Sequence, residues 1–198
     1  MSLTDQSPST HTGADPAKRA RLLAAAAREF ARHGFDRTSV DVIAERAGIG
    51  KGTVYLYFPS KAALFQSVLL ELQDQLGAVP LVGGVQDPRV ALRTFIRAQL
   101  QLADALPDYV RCYTSALFGV NRDFQEAALA IFAWQEGILD GLLQRARAEP
   151  DAVRRKRRAA LFTANLLSAA LIRGLRDAGD ADTALEQRAL LDGFLAGG

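Results

Sequence analysis

This sequence of 198 residues has one cysteine, a small net charge and no long apolar run. A single cysteine, Cys112, excludes an intramolecular disulfide and a thiolate zinc cluster, and it favours a reducing compartment. The formal charge is only +2, from 24 Lys and Arg against 22 Asp and Glu, so this is no polybasic tail protein. The longest apolar stretch, 159–172, has about 14 residues, fewer than the roughly 18–20 that span a membrane. With no apolar secretory signal in the first residues, we expect a cytoplasmic protein without a membrane segment.

Alanine and leucine dominate the apolar residues, which make up 49% of the chain. Both are strong helix formers, and the strand formers Val and Ile are much rarer, so we predict an all-α fold of about nine helices. Residues 1–15 have no periodic apolar positions and are expected to form a disordered tail. We divide the remainder into a compact domain over 16–61 and a larger helical domain over 62–198.

Three short helical patterns follow the expected tail. The first covers about 16–33 and ends at Gly34, the second begins after the N-cap Ser39 and ends at Gly48, and the third begins near Gly50. The second and third patterns, joined by a glycine turn, have the form of a helix-turn-helix. The second helix of such a motif is narrow enough to enter the major groove of DNA.

Positive charge is concentrated in the same segment. Nine Lys or Arg stand against four Asp or Glu over 16–61, a net charge of +5 where the whole chain has only +2. This clustering is the electrostatic footprint of a nucleic-acid surface, and it is also the composition of a solvated helical face. The helix pattern favours the nucleic-acid interpretation.

Residues 38–61, TSVDVIAERAGIGKGTVYLYFPSK, resemble the signature of the tetracycline-repressor (TetR) family of bacterial transcriptional regulators. The resemblance is closest over about 17–70. It implies an N-terminal helix-turn-helix DNA-binding domain of three helices, followed by a helical ligand-binding and dimerisation domain. It further implies a repressor that binds a palindromic double-stranded DNA operator as a homodimer, with its recognition helices about one DNA turn apart. A small, largely apolar effector would release it, and the last two helices would join the two subunits.

Family resemblance also assigns DNA contacts to individual residues. Thr38 would hydrogen-bond a phosphate, Lys51 would reach a base edge or a phosphate, and Gly52 would let the DNA backbone approach closely. Tyr55 either donates its hydroxyl to DNA or is a core aromatic with one satisfied hydroxyl. The full set of implied DNA-binding residues is Thr38, Lys51, Gly52, Thr53, Tyr55, Tyr57 and Lys61.

Aromatic side chains are frequent between residues 95 and 162, together with a few polar groups. They either line an effector pocket or fill the core, and the family resemblance favours the pocket. Asn165, Ser168 and Arg173, on an otherwise apolar helix, are either pocket groups or contacts between subunits. The residues predicted to bind the ligand are Phe95, Gln99, Tyr109, Cys112, Tyr113, Phe132, Phe162 and Asn165.

Other motifs give no support for an enzyme. The glycine-rich string over 48–53 lacks the spacing of a phosphate-binding loop, and no His, Cys, Asp or Glu group has the spacing of metal ligands. We therefore expect no catalysis, no metal and no cofactor. The basic run over 154–158 is interpreted as a solvated helix face. Two alternatives stay open: a helical small-molecule-binding or carrier protein that does not bind DNA, and an all-α enzyme that uses the aromatic pocket.

Overall fold

The computed structural model describes residues 15–78, 87–147 and 149–175, and all regular structure in these ranges is helical, which confirms the predicted all-α fold. The ninth predicted helix, over about 182–195, lies outside the described residues, as does the expected tail up to residue 14. The helices in chain order are α1 (Pro16–Arg37), α2 (Val40–Ala47), α3 (Lys51–Tyr57), α4 (Lys61–Gly77), α5 (Pro88–Ala105), α6 (Pro107–Leu117), α7 (Arg122–Arg145) and α8 (Ala152–Leu175).

Side-chain caps fix the starts of three of the first four helices. Asp15, Ser39 and Ser60 accept hydrogen bonds from backbone amides of the following turn at 2.9, 3.2 and 3.0 Å. Each bond satisfies an amide that has no partner inside the helix. The predicted N-cap Ser39 is confirmed, whereas α3 begins after Gly50 without a side-chain cap.

Two glycines turn the chain between the first three helices. Gly34 has a φ of +75° and interrupts the helical backbone of α1, which leaves a short turn over 35–37 before α2. Gly48 closes α2 in the left-handed conformation, with φ +64° and ψ +38°. A side chain strongly disfavours such backbone angles, and so glycine occupies both places. The turn between α2 and α3 is therefore the segment 48–50, as expected of a helix-turn-helix.

Buried apolar residues form two clusters. The first contains Leu22, Val54 and Phe65 and joins α1–α4 to α6 and to the beginning of α7. The second contains Phe95 and Leu139 and joins α5 to α7 and α8. Helices α1 and α4 thus pack directly against α6, and α4 also packs against α7, so the C-terminal helices support the N-terminal domain through α1 and α4.

Four phenylalanine rings form the centre of the first cluster. The Phe65 ring of α4 lies 5.0 Å from Phe30, 5.6 Å from Phe35 and 4.6 Å from Phe124, measured between ring centroids. Phe124 begins α7, so these rings connect the N-terminal helices with the C-terminal ones. Phe118, by contrast, is 74% exposed beyond the end of α6 and belongs to no pocket or core.

A buried arginine joins α7 to α8. Arg155 is only 8% exposed, and its Nε donates a hydrogen bond of 2.7 Å to Asp140 Oδ1. The guanidinium also donates to the carbonyl oxygen of Glu149. For this residue the predicted solvated face over 154–158 is wrong, because one position in each helical turn faces the neighbouring helix. Arg154, Lys156 and Arg157 are exposed.

Candidate nucleic-acid interface and effector cavity

The outward face of α3 is a stripe of four exposed residues. Lys51, Gly52, Tyr55 and Leu56 stand at positions i, i+1, i+4 and i+5, which share one side of a helix. Val54 points the other way and is buried, as the helical spacing of the apolar residues in this segment predicts. Sequence reasoning missed Leu56, which is 84% exposed. Its position beside Tyr55 and four residues after Gly52 is the signal that would have identified it.

The two tyrosines of α3 have different environments. Tyr55 is 44% exposed, so the alternative of a core aromatic is wrong. The Tyr57 hydroxyl accepts a hydrogen bond of 3.0 Å from the backbone amide of Asp15 and donates to the carbonyl oxygen of the same residue at 3.4 Å. Tyr57 therefore ties the end of α3 to the start of α1, and we replace its predicted DNA contact with this structural role.

Lys51 forms an exposed ion pair between α3 and α2. Its Nζ lies 2.8 Å from Asp41 Oδ1. The hydrogen bond from Lys51 to Asp41, together with the charge of that carboxylate, raises the pKa of Lys51. The ammonium group is thus charged at neutral pH and already partnered, so a phosphate would have to compete with Asp41 for it.

Lys61 closes the turn between α1 and α2. Its Nζ donates hydrogen bonds to the carbonyl oxygens of Phe35, Asp36 and Thr38 at 2.9, 3.2 and 3.1 Å, and it lies 4.4 Å from the centre of the Phe35 ring. Because these three bonds use every ammonium hydrogen, no donor is left for a phosphate. We therefore replace the predicted phosphate contact of Lys61 with support of this turn.

Thr38 is buried and bonded within the protein. Its Oγ1 lies 2.7 Å from the carbonyl oxygen of Gly34 and 3.1 Å from that of Glu29, so both acceptors share its one hydrogen. A phosphate offers only acceptors to a hydroxyl, which would need the same hydrogen. The predicted phosphate contact of the Thr38 side chain is accordingly replaced by a structural role. Thr53 is half-buried, and its DNA contact stays a prediction.

The helix-turn-helix segment carries its positive charge on the surface. Of the nine Lys and Arg over 16–61, all except Lys61 are exposed. The buried acid in this segment, Glu29, lies 3.4 Å from Arg46 Nε and 3.7 Å from His33 Nε2. The exposed charges therefore remain strongly positive, as a surface that binds phosphates requires.

A cavity of about 50 Å³ lies among α4, α5, α6, α7 and α8. In the described part of the chain its lining is mostly Leu, Val, Ile and Ala, with Gln99, Tyr113, Gln135 and Thr163 as the polar members and no Lys, Arg, Asp or Glu. The volume is enough for a few water molecules. Leu72 and Leu76 of α4 belong to the lining, so the helix that starts at Lys61 also reaches the cavity.

Comparison with known proteins identifies the N-terminal segment. Residues 22–68 match the profile described as "Bacterial regulatory proteins, tetR family". The N-terminal domain is therefore a TetR-family domain. RutR of Escherichia coli strain K12, an HTH-type transcriptional regulator, is 35% identical over 99 residues, which are 49% of this chain and 46% of RutR. The matched part of the chain therefore spans about half the length of this relative.

Solved structures extend the likeness to the C-terminal helices. FadR of Bacillus subtilis, in complex with stearoyl-CoA, has a TM-score of 0.76 at 19% identity over 90% of this chain and 98% of FadR. PfmR of Thermus thermophilus, a TetR family transcriptional regulator, has a TM-score of 0.67 at 25% identity over 89% of this chain and 98% of PfmR. The chain thus shares its fold with these two proteins well beyond its N-terminal domain.

The structure brings two of the eight predicted ligand residues to the cavity, namely Gln99 and Tyr113. The other six lie elsewhere because most of the rings pack helices together. Phe95 and Phe162 are core residues between α5, α7 and α8, while Tyr109 and Cys112 pack in the first cluster, where Cys112 Sγ donates to the carbonyl oxygen of Ala27. Phe132 is half-buried outside the lining, and Asn165 is exposed.

The single cysteine of this chain is buried. Burial raises the pKa of Cys112 to about 12, so the group stays a thiol at neutral pH. No group of three or more His, Cys, Asp and Glu among the described residues could hold a metal ion. None of the described helices is long and apolar enough to cross a membrane.

Lys61→Met tests the structural role of Lys61 in the turn. The change keeps most of the side-chain length but removes three charge-assisted hydrogen bonds, so we expect the free energy of unfolding to fall by about 1.5–3 kcal/mol in a urea titration. The exposed Lys156 of α8 supplies the control, since Lys156→Met should change stability little. If Lys61→Met is as stable as the wild type and its DNA affinity depends less steeply on salt, the result supports a phosphate contact of Lys61 and contradicts its role in the turn.

Proposed function

We propose that this chain is a ligand-responsive transcriptional repressor that binds a palindromic double-stranded DNA operator as a homodimer in the cytoplasm. The observation that carries the proposal is the exposed stripe Lys51, Gly52, Tyr55 and Leu56 on α3, set in a positively charged helix-turn-helix with a TetR-family sequence. A helix that presents an ammonium group, a hydroxyl and an apolar group on one side suits the major groove, which offers phosphates, base edges and thymine methyl groups.

The side chains of this stripe offer DNA different chemical groups and are therefore suited to different contacts. Lys51 supplies charge at the N-terminal end of α3, where the helix dipole also favours an anion. The Tyr55 hydroxyl can donate to a phosphate, and Leu56 offers an apolar contact to a thymine methyl group, which carries sequence information. Leu56 replaces Tyr57 in the contact set that the resemblance implied, because the Tyr57 hydroxyl is bonded to Asp15.

Gly52→Ala should separate DNA binding from stability. An added Cβ at Gly52 meets nothing within 4 Å, so alanine fits the fold and should stabilise α3 by up to about 1 kcal/mol. If DNA approaches this glycine closely, the same methyl group weakens operator binding, about tenfold for a loss of ~1.4 kcal/mol. Thermal unfolding and fluorescence anisotropy measure the two effects.

Gly137 provides a matched control for Gly52. It is an exposed glycine of α7, and its added Cβ also meets nothing within 4 Å. Gly137→Ala should therefore stabilise the protein and leave DNA affinity unchanged. Equal DNA affinities of Gly52→Ala and the wild type would show that DNA does not approach this part of α3.

An apolar stripe on α8 supports the homodimer. Leu161, Ser168 and Ile172 lie at a spacing that follows one side of the helix, and Leu161 is 69% exposed. Ile172 is 46% exposed on the same side. A second copy would cover that side. The other predicted dimer helix, over about 182–195, lies outside the described residues.

Helix α4 provides a physical link between effector and DNA. Its N-terminal Lys61 holds the turn before α2, and Leu72 and Leu76, further along the helix, line the cavity. An effector that displaces these leucines would shift a helix bonded to the DNA-binding domain, and such coupling is typically worth ~1–3 kcal/mol. The complex of FadR with stearoyl-CoA supports an effector site in this fold.

Fluorescence anisotropy with a labelled duplex from the DNA upstream of the chain's own gene tests the proposal. We expect tight binding that weakens steeply with salt, with a linear relation between the logarithms of affinity and salt concentration. Unlabelled random duplex serves as competitor. A carrier protein without DNA binding would show no preference for the upstream duplex at any salt concentration.

A further inference from the structure

Two buried polar atoms at the cavity lack hydrogen-bond partners. They are Nε2 of Gln99 and the hydroxyl oxygen of Tyr113, and both residues line the cavity and are more than nine-tenths buried. A buried polar atom without a partner is costly, so native proteins rarely leave one. Two such atoms at one cavity are therefore available to hydrogen-bond a bound molecule.

Neighbouring residues determine what these two groups can bind. Gln135 Nε2 donates a hydrogen bond of 3.2 Å to Gln99 Oε1, which fixes the orientation of the Gln99 amide, and the Gln99 NH₂ group has no partner among the described residues of the protein. Burial raises the pKa of Tyr113, which keeps its hydroxyl protonated and able to donate. Thr163 does not compete, because its hydroxyl donates to the carbonyl oxygen of Ala159 at 3.0 Å. The cavity therefore presents two free donors.

We propose that the effector is an uncharged, largely apolar molecule with a carbonyl-type oxygen that accepts hydrogen bonds from Gln99 Nε2 and the Tyr113 hydroxyl. This inference rests on the proposed function, in which the C-terminal helices bind an effector. It names the chemical class of that effector and the two residues that recognise it.

The lining distinguishes a neutral ligand from an anion. In the described part of the chain no Lys or Arg lines the cavity, so a carboxylate would lose its hydration without gaining a counter-charge. A hydrocarbon would fit the leucine, valine and isoleucine side chains but would leave both donors without partners. A ketone or a similar neutral acceptor satisfies both the apolar lining and the donors.

The small cavity volume implies that binding moves the lining. About 50 Å³ holds only a few waters, so a molecule of aromatic size must displace side chains around it. Trp134, the single tryptophan, lies against Gly77 at the end of α4, its ring 3.5 Å from the place a Cβ would occupy. Its fluorescence should therefore report displacement of this end of α4.

Acetophenone, benzoate and ethylbenzene form a matched set of probes for the full chain. They share a benzene ring and differ in carrying a neutral acceptor, an anion or no polar group. We expect acetophenone to raise the melting temperature saturably and to change Trp134 fluorescence, with affinity about three- to tenfold higher than that of either other probe. Benzoate or ethylbenzene binding as tightly as acetophenone, or no acetophenone binding at millimolar concentration, would overturn the inference.

Tyr113→Phe tests whether the Tyr113 hydroxyl recognises the oxygen of the ligand. We expect this variant to bind acetophenone about three- to tenfold more weakly, to keep its affinity for ethylbenzene and to melt about 2–4 °C higher in the free state, because an unpartnered buried hydroxyl is gone. Tyr109→Phe removes a buried hydroxyl of the same helix that does not line the cavity, and it should bind acetophenone as the wild type does. Unchanged acetophenone affinity in Tyr113→Phe would contradict the inference.

DNA binding by the wild type without any probe separates the two proposals. If the wild type binds DNA specifically but does not bind acetophenone, the proposed effector class is rejected and the proposed repressor function stands. Absence of specific DNA binding would reject the repressor itself, whichever probe binds.

Discussion

Phe65→Ala is expected to lower the free energy of unfolding by about 3–5 kcal/mol, the usual cost of deleting a large aromatic side chain from a core. The Phe65 ring contacts the rings of Phe30, Phe35 and Phe124, which belong to α1, to the turn after it and to α7. The change would leave a cavity where the N-terminal and C-terminal helices meet. Urea unfolding followed by circular dichroism measures the loss.

Phe118→Ala is the control for this prediction. Phe118 is 74% exposed, and removal of its ring should change the stability by no more than about 0.5 kcal/mol. Because the Phe65 ring joins both sets of helices in one core, the wild-type protein should unfold in one transition. A second, separate transition assigned to the N-terminal helices would contradict the shared core described above.

Arg155→Ala should cost about 3 kcal/mol of stability, although Arg155 lies in a run of five basic residues. Its guanidinium is almost fully buried and pairs with the partly buried carboxylate of Asp140 at 2.7 Å. Removal of the guanidinium leaves the partly buried Asp140 carboxylate without its counter-ion, and this uncompensated charge is the main cost. Thermal or urea unfolding at neutral pH would measure it.

The neighbouring Arg154 is the natural control for Arg155. The Arg154 side chain is exposed, so Arg154→Ala should change the stability by less than about 0.5 kcal/mol. Equal losses of stability in the two variants would show that the Arg155–Asp140 pair does not hold α7 and α8 together.

Local signals predicted the N-terminal helices well. The Ser39 cap and the turns at Gly34 and Gly48 depend on side chains and backbone angles within a few residues, which are visible in the sequence. The buried position of Val54 also followed from helical spacing. Short-range chemistry was therefore enough to predict the helix-turn-helix.

Roles that depend on distant partners were not predictable in the same way. The acceptors of Lys61 lie 23 to 26 residues earlier in the chain, and Asp15 lies 42 residues before Tyr57. A lysine and a tyrosine on a basic domain suit DNA equally well until the tertiary contacts are known. The sequence contains no pattern that decides whether such a group bonds to the protein or remains free for a ligand.

Packing also decided which polar and aromatic residues line the cavity. Phe95 and Gln99 are one helical turn apart on α5, but only Gln99 lines the cavity, while Phe95 packs against α7 and α8. Periodicity identifies an inward face, not the particular neighbour that each residue meets. The aromatic cluster therefore consists mainly of core residues beside a small cavity.

Selection of duplexes from a randomised DNA pool, followed by measurement of the number of chains on each bound duplex, tests the proposed function most directly. We predict that the enriched duplexes share a palindrome with half-site centres about one helical turn, ~34–36 Å, apart, and that two chains occupy each duplex. Leu56→Ala should then alter the preferred base at one position of each half-site. Failure of any sequence to become enriched over the competitor, or occupation of each duplex by one chain only, would contradict a homodimeric operator-binding repressor.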